Sequence, residues 1–145
     1  MVLSLGLVLV LTTAQLSSNS FCEEIPDRIE NVREQAREAE VELEERLASD
    51  TFWQQVDRQQ RQLEAQLNAL LQDEAQLAEV LRNPQTPPQL VAILNAAQSR
   101  PNAINEFLNQ QREQLPEQLR SRIHERRDAL LEEVLQLSEH CHSRH

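Results

Sequence analysis

From Pro26 to Ala48, with Ile25 just before, the apolar residues recur at Ile25, Ile29, Val32, Ala36, Ala39, Leu43 and Leu47. Steps of three and four place them on one stripe of a helix. Pro26 suits the first turn, where its missing N–H has no ladder partner to lose. Ser49, Asp50 and Thr51 then offer three N-caps in a row, and Thr51 with Gln54 has capping-box spacing. A second helix is expected over 52–82, with Trp53, Val56, Gln60, Leu63, Leu67, Leu70, Glu74, Leu77 and Leu81 forming a heptad seam of coiled-coil type. The step from Leu47 to Trp53 fits neither three, four nor seven, so the two stripes are out of phase. The pattern therefore predicts two helices, not one rod.

Asn83-Pro84-Gln85-Thr86-Pro87-Pro88 cannot be helical throughout, because each proline lacks a donor and restricts the residue before it. The segment Gln89 to Gln98 is apolar almost all round, at Leu90, Val91, Ile93, Leu94, Ala96 and Ala97, and is expected to be deeply buried. Ser99-Arg100-Pro101-Asn102 breaks the pattern again. A fourth segment with Ile104, Phe107, Leu108 and Leu115 runs into Pro116, which reads as a kink or as the first residue of a last helix over 117–141. That last helix carries Leu119, Ile123, Leu130, Val134, Leu137 and Cys141 on one stripe.

The chain start has a different character. Residues 2–11, VLSLGLVLVL, have the length of the apolar region of a secretory signal peptide and are too short to span a bilayer. Small residues follow, so residues 1–20 read as a signal peptide cleaved after Ala14 or Ser20, with 21–145 a single helical domain. Secretion is the expected localisation, extracellular or periplasmic. No later stretch is apolar enough for a transmembrane segment.

Composition narrows the picture from the other side. One glycine, at position 6, leaves no means of building tight hairpins or a glycine cradle for phosphate. An all-β fold and a nucleotide-cradling fold are excluded. All 14 basic residues are Arg against 24 acidic ones, and the resulting net charge of −10 opposes binding to nucleic acid or to an anionic bilayer.

Cys22 and Cys141 are the only cysteines, one near each end of the mature chain, and each extends an apolar stripe. In an oxidising compartment they are expected to pair. Joined ends require an even number of passes. The expected fold is an all-α, up-down helical bundle of four passes, the third split into two short helices. With Cys22 facing Cys141 in antiparallel helices, Arg120, Arg122, Arg126 and Arg127 come beside residues 36–43. Glu38, Glu40 and Glu42 lie in that stretch, with Glu44 and Glu45 adjacent.

Candidate chemistry is sparse. His140, His142 and His145 around Cys141 are the one cluster of metal-ligand types, although a disulfide removes the thiolate. His124 reads as a solvated helical residue. No nucleophile with an oriented base and no isolated carboxylate pair is present, so neither enzyme activity nor a cofactor is expected. Gln60 and Glu74 are polar residues on the seam, where such residues fix register or face a cavity. A carrier of a small apolar ligand would use them with Trp53, Leu90, Ile93 and Phe107. The leading expectation is a secreted bundle acting on a protein partner through the acidic face of the first helix, where residues 23–46 carry 10 acidic and 4 basic side chains, or through the seam of the second helix. The carrier and an elongated coiled-coil oligomer are the alternatives. Monomer and homodimer both remain open.

Overall fold

The computed structural model describes residues 22–142. The expected signal peptide and its cleavage points lie outside them, as does His145. Among the described residues are five helices and no strand: α1 (Ile25–Leu47), α2 (Asp50–Gln72), α3 (Glu74–Arg82), α4 (Pro88–Ser99) and α5 (Ala103–His142). The fold is all-α with helical-bundle packing, and Cys22 is bonded to Cys141. No described helix is long and apolar enough to cross a membrane.

The boundaries follow local chemistry. α1 and α2 are separate helices, as the phase break predicts. The N-cap of α2 is Ser49, in extended backbone at φ −90° and ψ 129°. Thr51 lies inside the helix, so the expected Thr51–Gln54 capping box does not form. The expected 52–82 helix is interrupted at Asp73, whose backbone is extended at φ −109° and ψ 96° and whose carboxylate accepts from the Gln76 N–H at 3.2 Å. A strong N-cap residue competes with the ladder here. Because Asp73 alone leaves the helix, Leu70 and Leu77 still reach the same core. A second difference lies at Pro116, which sits inside α5. The segment starting near Ile104 and the expected last helix are one helix of 40 residues, about 60 Å long at 1.5 Å per residue.

The described residues form two compact units. One comprises Ser49–Leu115, with α2, α3, α4 and the start of α5. Its core is a cluster of Leu67, Leu77, Ile93, Leu94, Ile104 and Leu108, with Leu63, Leu70, Leu90 and Phe107 packed against it. α4 is less enclosed than its sequence predicts. Ile93 and Leu94 are buried, while Leu90, Val91, Ala96 and Ala97 are half-buried and Ala92 is exposed.

The other unit pairs α1 with the stretch of α5 from Pro116 onward. α1 buries Ile25, Val32, Ala36 and Leu43, and α5 buries Leu119, Ile123, Leu130 and Val134. Val32 and Leu130 pack together with Leu131. The helices run antiparallel: the disulfide joins Cys22 to Cys141 with Cα atoms 5.8 Å apart, and Glu44 meets Arg120.

Candidate interaction surface

Several residues expected to line a ligand cavity are committed to packing in the Ser49–Leu115 unit. Trp53 is half-buried, and its ring stands edge-on to Phe52 with centroids 5.2 Å apart. The Arg112 guanidinium carbon lies 4.5 Å from the Trp53 ring centroid, and its Nε donates to Asp57 Oδ1 at 3.0 Å. Trp53 thus carries a cation on its face. Phe52, off the expected seam, is the more buried aromatic of the two.

Gln60 is 8% exposed, and its Nε2 donates to the Leu108 carbonyl at 2.8 Å. A buried amide donor therefore finds a main-chain acceptor on the facing helix, which ties α2 to α5 at one register. Leu90, Ile93 and Phe107 do come together, at the leucine-rich cluster of this unit. Glu74 does not join them. It is exposed in the first turn of α3, where a carboxylate favours the helix dipole, and its expected seam position is lost to the break at Asp73.

The histidine tail falls at the end of the description. His140 is exposed, His142 is the last residue of α5, and the Cys141 sulfur is in the disulfide. Among the described residues, no three His, Cys, Asp or Glu side chains are arranged to hold a metal ion.

A more pronounced surface feature lies in the α1–α5 unit. α1 turns its stripe towards α5, so residues about half a turn away face solvent. Val41 is there, 60% exposed, in the sequence Glu40-Val41-Glu42. Beside it a cleft of about 690 Å³ opens between α1 and α5, with Ala48 supplying apolar surface over the buried Leu43. Glu40, Glu44 and Glu45 line the α1 side, and Arg120 and His124 the α5 side.

Ion pairs close across this cleft. Arg120 grips Glu44 through two bonds, Nε to Oε1 at 2.7 Å and Nη2 to Oε2 at 3.2 Å. That bidentate bond holds the Glu44 carboxyl below the usual carboxylate range and raises Arg120 above its ordinary value. His124 Nε2 lies 2.8 Å from Glu40 Oε1. Of the four arginines expected opposite α1, Arg120 makes a helix-to-helix pair, whereas Arg127 binds the neighbouring Asp128 at 3.0 Å. His124, read as merely solvated, takes a place across from α1.

Sequence reasoning missed Val41, although its signal was visible: it is an apolar residue off the α1 stripe and flanked by glutamates. The cleft itself was not legible, since it needs the separation of two helices. No protein-family model, curated protein or solved structure matches this chain.

Proposed function

We propose that the protein is exported and acts by contact with a protein partner, without catalysis, through the outer face of α1. The observation that carries this reading is Val41, an exposed aliphatic side chain beside an apolar cleft and among Glu38, Glu42 and Glu45. An exposed apolar residue within a charged rim follows the plan of an interface core. The apolar stem of the signal-like N-terminus and the Cys22–Cys141 bond support an oxidising destination.

The test uses the mature chain with its disulfide intact as bait for the fluid into which it is exported, at low and at high salt. A partner held through the acidic face binds at low salt and is lost at high salt, where exposed charges are screened over a few ångströms. Replacement of Glu38, Glu42 and Glu45 by Gln abolishes the same capture. A salt-insensitive complex moves the contact to another face. Native mass spectrometry of the same preparation gives a bare chain on this reading, and a retained small molecule replaces it with the carrier.

A further inference from the structure

The cleft beside Val41 has a definite shape and sign, and both limit what fits it. Two antiparallel helices, α1 and the later part of α5, leave a channel parallel to their axes. The stretch from Glu40 to Ala48 runs about 12 Å, slightly more than two helical turns. Val41 and Ala48 give the channel its apolar surface, over the buried Leu43. Neither helix offers an unpaired strand edge, since among the described residues there is no strand. Main-chain augmentation by an extended peptide has nothing to pair with. A helix packed along the channel meets side-chain ridges and grooves on both of its neighbours.

Charge then selects the kind of helix. The rim holds three carboxylates, Glu40, Glu44 and Glu45, against the one guanidinium of Arg120 and the imidazole of His124. Arg120 is already engaged by Glu44. On the far side of Val41, Glu34, Glu38 and Glu42 extend the acidic surface, with Arg37 drawn back onto Glu30 and Glu34 at 2.9 and 2.8 Å. An acidic helix would be repelled along the α1 side, which carries every carboxylate of the rim. A basic one would find carboxylates on either side of an apolar strip.

We infer that the α1–α5 cleft around Val41 is the docking groove for a basic amphipathic helix of a partner protein. The inference rests on the proposed protein-contact function and specifies its partner. The docked helix lays small aliphatic side chains at i, i+3 or i+4 spacing over Val41 and Ala48. Its flanking Arg or Lys side chains reach Glu45 on the rim and Glu38 beyond Val41.

The probe is a labelled synthetic peptide of about 15 residues, long enough to hold some helix in water, with a Leu/Ala stripe flanked by Arg and Lys. Its counterpart has every Arg and Lys replaced by Glu. Fluorescence anisotropy with the disulfide-intact mature chain measures binding, and amide NMR shifts map it. Expected are saturable binding of the basic peptide and shifts concentrated in Glu40–Ala48 and Arg120–His124. The acidic counterpart should bind at least about tenfold more weakly. Val41→Asp should weaken the basic peptide about tenfold, as loss of a central anchor does. Since Val41 is largely exposed, the fold should survive this change, which circular dichroism checks. Ala48→Arg, also at an exposed position, blocks the groove independently.

The inference is overturned by equal binding of both peptides, by binding insensitive to both variants, or by shifts confined to Ser49–Leu115. Concentration-dependent self-association through the same residues gives the groove to a second copy and likewise overturns it. If neither peptide binds while salt-sensitive capture of a partner persists, the groove assignment fails and the broader protein-contact reading stands. If capture fails as well, both fall.

Discussion

The Ser49–Leu115 unit and the α1–α5 unit solve the same problem with different means. The first surrounds a cluster of six buried aliphatic residues with further apolar side chains from four helical segments, and locks one pair of helices with the Gln60–Leu108 bond. The second has two helices and one narrow seam, and adds a covalent bond at one end and the Glu44–Arg120 pair towards the other. A pair of helices can bury one stripe from each partner, leaving much of both surfaces outside. That is why an exposed Val41 and a cleft coexist with an ordered helix. Stability drawn from a staple and ion pairs leaves surface available for binding, whereas stability drawn from apolar enclosure consumes it.

The sharpest way to break this comparison is to remove the staple. Closing a loop of 119 positions restrains the unfolded chain by about 4 to 5 kcal/mol in the loop-entropy model. Cys22→Ser with Cys141→Ser should therefore lower the thermal midpoint at least as much as the costliest single aliphatic truncation. Hydrogen exchange distinguishes a local from a uniform loss. Amides of α1 should lose protection first, while those of α2 and α4 keep more of theirs. Equal loss across all helices would mean that the bond serves the whole chain alike and that the two units do not differ in this respect.

The next test applies identical chemistry to each unit. Leu94 and Leu43 are both essentially buried, at 0% and 1% exposure. Leu→Ala in a core costs about 2 to 5 kcal/mol, with the spread set by how far the surroundings collapse into the space. Leu94, enclosed by several helices, belongs near the upper end. Leu43 belongs near the lower end, because two helices can close on each other more freely. Denaturant midpoints for the two variants decide it. Equal costs would show that the helix pair is as rigidly packed as the larger cluster.

Gln60 comes third in expected size. Gln60→Leu keeps most of the volume and removes one amide donor, while the Leu108 carbonyl retains its place in the α5 ladder. The expected loss is about 1 kcal/mol, the usual net value of such a bond. Gln60→Ala should cost more, since it also opens a void at a position only 8% exposed. If Gln60→Leu instead stabilises the chain, the amide is kept for register, not for energy.

What could be read in advance follows the range of each interaction. α1, the α1–α2 division, the proline turn after Arg82 and the disulfide all rest on local periodicity or on residue chemistry at the chain ends. The interruption at Asp73 was hidden because one residue leaving the ladder does not disturb the seven-residue step from Leu70 to Leu77. Continuity through Pro116 was hidden for the opposite reason. Proline argues for a break, but Leu115 and Leu119 on either side are both 4% exposed, and packing of the two favours an unbroken helix. At the surface, antiparallel register brought the right parts of α1 and α5 together. It could not choose which of four arginines would reach across, because that depends on side-chain direction. His124 was overlooked since only permanent charges entered the pairing.

The Glu44–Arg120 pair is the smallest effect and the one whose sign is fixed in advance. A carboxyl with a folded pKa below its unfolded value contributes stability that is present above the unfolded value, about 4.3 for a free glutamate. That contribution is lost as pH falls through the lower, folded value. The raised Arg120 adds nothing to the acid limb, since a guanidinium stays charged there. Thermal midpoints of the wild type and Glu44→Gln should therefore differ at neutral pH and converge below the ordinary carboxylate range. Both groups are solvent-exposed, so high salt should shrink the neutral-pH difference. A difference that persists at high salt would place the pair in a drier setting than its exposure implies. It would also make the cleft wall a source of stability for the helix pair, in contrast to the staple-dependent picture.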